Sequence, residues 1–443
     1  MRLEQFAGKQ VAVLGYGREG RSALTVLGRV KPAPRLTVWV ESGELPKSAD
    51  ARSGPFDDGL QNFDIVVRSP GIPVDHRALV DYRAAGGQVV NPSSIWMHER
   101  PDLTVVGVTG SKGKSTTASL LAHLLKASGE SVLLAGNIGV PLLDHLETRA
   151  SVVVLELSSY QLADLEGQLR MGLITRLFPE HLDWHGSEEA YYTSKLRLAD
   201  LLQGRPLLIN ARDPILRLAT AAIPGRIEAN CSPGFHRRDD HIYLDQAPLV
   251  SSPALNLVGR HNLDNAALAL EAACMLGGKL DDLLTALRSF RPLAHRLETV
   301  VLAHGRRWIN DSIATSPHAT RAALESLAGA RVVLIAGGQQ RPTDWEPVVE
   351  WCRDHPLNAL VVLPDNGPAI AARLRNGGAV EPGKIHEATD LDDAVAAAVA
   401  LGEPGSAVLL SPGAPSFPHF RNFEDRGDRF RSAIADYRDR STA

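Results

Sequence analysis

The hydrophobic pattern divides the chain into three stretches in which short, continuous apolar runs alternate with segments of helical spacing. The first opens with Val11-Ala-Val-Leu14, turns at Gly15-Tyr-Gly17-Arg-Glu-Gly20, and continues into Arg21–Leu27, where apolar residues recur at helical intervals. That order predicts strand, glycine turn and helix. Further strands are predicted at Leu36–Val40 and Ile65–Val67, the second running into the turn Ser69-Pro-Gly-Ile72. Asn-Pro and Arg-Pro between Pro92 and Pro101 break the pattern, so the first domain is placed at residues 1–98.

The second stretch, residues 99–293, restarts with Leu103–Val108, a glycine-rich loop, and a helix carrying Leu120, Leu121, Leu124 and Leu125 that Gly129 stops. Strands are predicted at Ser131–Ala135 and Val152–Leu157. The third, residues 294–443, has predicted strands at Trp308–Asn310, Val332–Ala336, Leu360–Leu363 and Ala407–Leu410, with helical stretches such as Ala319–Leu327. Continuous apolar runs, in place of strict alternation, suit parallel strands covered on both faces. The expected class is therefore α/β in three domains, with ligands in the clefts between them.

Bulk properties narrow the partners. A formal net charge of -4 supplies no basic footprint for nucleic acid or an anionic membrane, which leaves small molecules held by local sites. Cys231, Cys274 and Cys352 are an odd, widely spaced set without metal-ligand spacing, as expected in a reducing compartment. The segment Met1–Gly8 has no long apolar stretch and no later run approaches a membrane span, so a cytoplasmic chain is expected.

The most informative chemistry lies at Gly107-Val-Thr-Gly110-Ser-Lys-Gly113-Lys114-Ser115-Thr116-Thr117, after a strand and at the start of a helix. Glycines there let backbone N–H groups face phosphate oxygens, Lys114 can reach the terminal phosphates, and the Ser115 hydroxyl can ligate Mg²⁺. Val108 stands where the strict spacing wants glycine, so an ordinary glycine turn remains the alternative. The loop Gly15–Gly20 is less specific: it could serve NAD, a UDP-sugar, or helix-strand packing alone.

Taken together, Thr109–Thr116, Gly136-Asn-Ile-Gly139, Leu155-Glu-Leu-Ser-Ser-Tyr-Gln161, Glu180-His-Leu-Asp183, Lys195, Gly259-Arg-His-Asn262-Leu-Asp-Asn265 and Asn310-Asp-Ser312 resemble the Mur ligase family in order and spacing. The resemblance spans essentially the whole chain. It implies a Rossmann-like UDP-binding domain, a central P-loop ATPase-type domain and a Rossmann-like domain that binds the incoming amino acid. It also implies an ATP-dependent amide ligase of peptidoglycan precursor synthesis, in which the muramoyl carboxylate becomes an acyl phosphate that an amine attacks.

On that resemblance ATP falls to Gly110, Ser111, Lys112, Gly113, Lys114, Ser115, Thr116, Asn262, Asn265, Arg296 and Asp311, and two Mg²⁺ sites to Ser115, Glu156, His181 and Lys195. Lys114, His181 and Lys195 are the catalytic candidates, with Lys195 matching the family lysine that becomes carbamylated. The UDP substrate falls to Gly17, Arg18, Glu19, Ser69, Pro70, Gly71, Asn137, Ser158 and Gln161. Blander readings stay open: His181 as a loop hydrogen-bonder, Glu156 as a capping acid, Lys195 as a solvated helix lysine, Asn262 as a helix cap.

Ser411-Pro-Gly-Ala-Pro-Ser416-Phe and Arg421-Asn-Phe423-Glu-Asp-Arg-Gly427 resemble the signature of the glutamate-adding branch, which acts on UDP-N-acetylmuramoyl-L-alanine. Thr315, Arg341, Ser416 and Phe423 then map to glutamate contacts. Ile313 stands in place of the usual lysine, Lys112 in place of asparagine, and Phe178-Pro-Glu180-His181 in place of the Thr-Glu-Asp-His form. These departures favour a branch that adds L-glutamate, with D-glutamate as the alternative. A folylpolyglutamate-synthase-like ligase has no place for the Gly15–Gly20 domain, and a nicotinamide-dependent dehydrogenase or a non-catalytic nucleotide-binding module has no use for the Lys114, Glu156 and Lys195 set. A monomer is expected.

Overall fold

Strand β1 (Gln10–Leu14), with Val11 to Leu14 all buried, is the centre of a five-stranded sheet in the computed structural model. The structure describes residues 1–443 except 42–44, 47–49, 181, 256, 258, 292–293, 341–342 and 443. The described chain forms two compact units, Met1–Arg291 and Pro292–Ala443.

The first unit holds two parallel sheets. In one, β2 (Arg35–Val40), β3 (Asp50–Ser53), β4 (Ile65–Arg68) and β5 (Gln88–Val90) join β1 in the order β3-β2-β1-β4-β5. The chain winds one way from β1 through β2 and the other way through β4. This puts a topological switch point at the carboxyl end of β1, where open α/β sheets bind ligands.

The second sheet contains β6 (Thr104–Thr109), β7 (Val132–Gly136), β8 (Val152–Glu156), β9 (Met171–Ile174), β10 (Leu207–Asn210) and β11 (Arg226–Ala229), ordered β11-β10-β9-β6-β8-β7 and parallel throughout. Here β6 lies at the switch point. The helices Lys114–Ala127 and Arg260–Met275 bury Leu120, Leu124, Leu263, Leu268 and Leu270 against Val106, Val108, Val154 and Leu173. Each fully buried leucine of this kind stabilises the fold by about 1.5–3 kcal/mol. A small antiparallel meander, β12 (Phe235–Arg238), β13 (His241–Leu244) and β14 (Ala247–Ser251), completes the unit.

In the second unit, β15 (Glu298–Ala303), β16 (Arg306–Asn310), β17 (Val332–Gly338), β18 (Ala359–Asp365), β19 (Ile385–Glu387) and β20 (Ala407–Leu410) lie in the order β15-β16-β20-β17-β18-β19. The β15–β16 pair is antiparallel and the others are parallel. The mixed α/β class with parallel sheets is as expected.

The break expected at Pro92 is instead a helix start. Asn91 caps the helix Pro92–Glu99, its Oδ1 accepting from the Ser94 N–H at 2.8 Å, and proline at the first turn lacks only a donor that the helix would leave unpaired. Such a cap stabilises by about 1 kcal/mol. Among the described residues no helix is long and apolar enough to cross a membrane.

Candidate functional site

The loop between β6 and the helix Lys114–Ala127 is built around close backbone approach. Gly113 holds φ +90°, and a Cβ there would lie 2.6 Å from Asn265 Oδ1, so glycine alone lets the helix Arg260–Met275 press its amide onto the loop. Asn265 in turn donates to Asn262 Oδ1 at 3.0 Å. The Ser111 N–H donates to the Arg176 carbonyl at 2.7 Å, and the Ser111 hydroxyl reaches both the Phe178 carbonyl at 2.7 Å and Tyr191 Oη at 2.9 Å. Thr116 is half-buried in the first helical turn and exposed Lys112 pairs with Glu180 at 2.8 Å.

Two lysines converge on this loop. Lys114 Nζ donates to the Gly110 and Ser111 carbonyls at 2.8 and 2.9 Å. Lys195, from the helix Glu188–Leu196, is 2% exposed and donates to the same Gly110 carbonyl at 2.8 Å, with its ammonium 4.8 Å from the Tyr191 ring centre. Burial, then repulsion from Lys114, holds its pKa well below the ordinary lysine value. That shift favours the neutral amine, the form able to react with CO₂. The solvated-lysine alternative is thereby excluded for Lys195.

Glu156 ends β8 in register with Val108 of β6 and is 1% exposed. Its Oε1 accepts from Asn137 Nδ2 at 2.8 Å, whereas Oε2 and the Ser115 hydroxyl are buried without a hydrogen-bond partner. Orphaned buried oxygens cost roughly 1–3 kcal/mol each unless something occupies them, and two hard oxygen donors beside a phosphate loop suit Mg²⁺. Among the described residues no group of three His, Cys, Asp or Glu side chains forms a metal cluster. A cation that takes most of its remaining ligands from nucleotide phosphates and water requires none. His181 lies outside the described residues.

The residues assigned to the UDP substrate also meet. Gly17 precedes the helix Arg18–Leu27, and a Cβ on Gly20 would overlap the Gly15 carbonyl oxygen, so this turn closes only with glycine. Arg18 donates to the Gly139 carbonyl at 3.4 Å. Glu19 Oε1 accepts from Gln161 Nε2 at 3.3 Å while its Oε2 is buried without a partner, and burial pushes the carboxyl pKa up to about 7. Ser158 and Gln161 close a capping box on the short helix Ser159–Leu162. Ser69 donates to the Gly15 carbonyl at 3.4 Å, the Pro70 carbonyl accepts from Arg68 at 3.2 Å, and the Gly71 carbonyl accepts from Trp184 Nε1 at 3.1 Å. Asn137, bonded to Glu156, joins this set to the phosphate loop.

Sequence reasoning missed the group that binds these two sets together. Arg68, fully buried at the end of β4, donates to both Asp164 oxygens at 2.7 and 2.6 Å and to the Tyr160 carbonyl at 3.1 Å, and Asn91 donates to Asp164 at 2.7 Å. Breaking such a buried pair costs about 3–5 kcal/mol. The signal was a charge closing the all-buried strand Ile65–Arg68. Asp264 was likewise missed: 2% exposed, it faces Arg237 at 2.9 Å, Arg176 at 3.1 Å and Arg212 at 3.6 Å, locking the helix that carries Asn262 and Asn265 to the ends of β9 and β10.

In the second unit Asp311 is buried, accepting from Ser411 Oγ at 2.9 Å and from the Leu297 N–H at 3.1 Å. Half-buried Arg296 keeps a buried Nε without a partner. Ser416 is buried, Phe423 half-buried at the start of the helix Phe423–Thr442, and Thr315 exposed. Arg341 lies outside the described residues.

Comparison with known proteins follows these features. Residues 108–273 match the Mur ligase middle domain, and residues 295–413 match the Mur ligase glutamate ligase domain. The chain is 40% identical to a UDP-N-acetylmuramoyl-L-alanine--L-glutamate ligase of Xanthomonas euvesicatoria, over 97% of this chain and 96% of that protein. It is 39% identical to the protein of the same description in Micromonospora, over 98% of each. Among solved structures, MurF from Acinetobacter baumannii superposes with a TM-score of 0.58 at 19% identity, over 99% of this chain and 92% of that one.

Proposed function

Because the chain belongs to the Mur ligase family, we propose that it joins L-glutamate to UDP-N-acetylmuramoyl-L-alanine with cleavage of ATP to ADP and phosphate. The observation that carries the reading is the loop at Gly110–Ser115, where two lysines meet one carbonyl beside two orphaned buried oxygens. The match of residues 295–413 to the Mur ligase glutamate ligase domain supports glutamate as the amino acid, and Ile313, Lys112 and Phe178-Pro-Glu180 favour the L over the D enantiomer.

Phosphoryl transfer depends on positioning and charge neutralisation more than on covalent help from the protein. The loop amides from Gly110 to Thr116 cradle the ATP phosphates, with Lys114 turning from the loop carbonyls to the transferred group. Asn262 and Asn265 hold the adenine, and Arg296 and Asp311 are the second unit's candidates for ATP contact. Ser115 and Glu156, with His181 and Lys195 for a second ion, would hold Mg²⁺, which would supply a positive centre for the charge that develops as the acyl phosphate forms.

Lys195 takes part as a carbamate: its neutral Nζ forms a bond to the carbon of CO₂ and one proton leaves to solvent, converting a neutral amine into an anion. Gly17, Arg18, Glu19, Ser69, Pro70, Gly71, Asn137, Ser158 and Gln161 seat the UDP substrate, and Thr315, Arg341, Ser416 and Phe423 seat glutamate. The glutamate amine then attacks the acyl phosphate through a tetrahedral intermediate, expelling phosphate. The working arrangement is a cytoplasmic monomer of three domains, 1–98, 99–293 and 294–443.

The test is ADP release by the purified protein with ATP, Mg²⁺ and UDP-N-acetylmuramoyl-L-alanine, run separately with L- and D-glutamate. Turnover with L-glutamate alone is expected. Turnover with D-glutamate alone overturns the enantiomer, and none with either overturns the substrate.

A further inference from the structure

Arg426 has no role in the site described so far, yet it is among the largest fully buried side chains of the protein, at 0% exposure. It sits in the first turns of the helix Phe423–Thr442. Its Nε donates to Ser312 Oγ at 3.0 Å, one Nη to the Ser312 carbonyl at 2.8 Å and the other to the Ala414 carbonyl at 3.0 Å. Ser312 Oγ donates onward to the Phe423 carbonyl at 2.8 Å. Among the described residues no carboxylate pairs with this guanidinium, whose partners are neutral oxygens. Burial alone depresses its ionisation to about 9, the mark of a charge left uncompensated.

Four residues are assigned to glutamate, and the guanidinium touches or adjoins the segments that carry Thr315, Ser416 and Phe423. Ala414 lies two residues from Ser416 and its neighbour Gly413 donates its N–H to the Ala314 carbonyl at 3.0 Å, next to Thr315. Phe423 is reached through Ser312. The glycine pair that leads toward Arg341 is held as well: a Cβ on Gly338 would lie 3.2 Å from Arg426 Nη1, and the Gln339 N–H donates to the Pro415 carbonyl at 2.9 Å. A buried cation facing only dipoles is costly to the fold, and it raises the potential felt by any anion bound nearby.

We propose that Arg426 is the positioning residue of the amino-acid site: its planar fork sets the spacing of the Ser312, Ala414–Ser416 and Phe423 segments, and its unpaired charge favours a dicarboxylate substrate. The inference rests on glutamate being the amino acid that the second unit recognises. Lysine cannot reproduce the fork, because it offers a point charge in place of a rigid set of donors.

The experiment compares wild type, Arg426→Gln and Arg426→Lys, all as full chains. It measures KM for glutamate, ATP and the UDP substrate, together with kcat at saturation and the thermal midpoint. A wild type that shows no glutamate-dependent turnover defeats the underlying reading and is recognised before any variant is made. Given turnover, Arg426→Gln is expected to raise KM for glutamate on the order of 10- to 100-fold. KM for ATP and the UDP substrate should stay within about two-fold, a change too small to reflect a lost hydrogen bond. Arg426→Lys should fall between wild type and Arg426→Gln in glutamate KM. If Arg426→Gln does not fold, the same selective rise in Arg426→Lys supports the proposal. An unchanged glutamate KM in either folded variant, or a parallel rise for all three substrates, overturns it.

Discussion

The first unit contains two versions of one construction, and on the proposed function their difference separates holding a phosphate from transferring one. In both, a buried central strand, β1 or β6, ends at a topological switch point and turns through glycines into a helix. After β6 the turn gathers Lys114 and Lys195 on the Gly110 carbonyl, with the Ser115 hydroxyl orphaned beside it. After β1 the turn gathers Arg18, held by the Gly139 carbonyl, and Glu19, held by Gln161. The first turn has one cation beside a carboxyl whose pKa burial pushes up to about 7, whereas the second has two lysines on one carbonyl beside the orphaned oxygens of Ser115 and Glu156.

The comparison is broken most directly at its strongest point. Lys114→Ala is expected to lower ATP turnover on the order of 10²- to 10³-fold, the scale for losing one preorganised electrostatic contact, while titration calorimetry still detects the UDP substrate. Loss of both together in a folded variant would contradict the separation of the two seats. Lys195→Ala should cost roughly 10- to 100-fold, as loss of a group that orients metal ligands does, and a short carboxylic acid added to the assay should restore part of it. Full activity without the acid would remove the carbamate.

The smallest effect belongs to the first loop. Glu19 ionises near pH 7 in the folded chain, against about 4.5 for the ordinary carboxyl, so the folded state binds the extra proton. Its contribution to stability is full below about pH 4.5 and is lost as pH rises toward about 7, beyond which the loss is constant. Chemical denaturation of wild type and Glu19→Gln across that window should therefore show stability falling more steeply with pH in the wild type. Parallel curves would mean that Glu19 ionises at the same pH in the folded and unfolded chain.

How much of this was legible follows from what each feature needs. Val11–Leu14, Val152–Leu157 and Val332–Ala336 are buried on both faces, so their apolar runs announced β1, β8 and β17 directly. Strand β3 is exposed along its length, and Phe235–Arg238 mixes one buried aromatic with polar residues, so neither had an apolar signature to read. Asn-Pro looked like an interruption because a cap and a break share the same two residues. At the candidate site Lys114 and Ser115 were readable because a phosphate loop is local in sequence. The burial of Lys195, the Arg68–Asp164 pair and the carbonyl cradle of Arg426 depend on groups 85, 96 and up to 114 positions away, which no local window contains.

The Arg68–Asp164 pair also has a mechanical meaning. Four hydrogen bonds tie the end of β4, with the Asn91 cap, to the segment that follows β8, so the two glycine seats share one frame. A frame of that kind works as a gauge. On the proposed function, a ligand anchored by its nucleotide end at the first seat would offer its reactive carboxylate to the second at a separation that the protein has already set, and analogues with a shorter or longer spacer would be anchored just as well yet fall outside the reach of the phosphate donor.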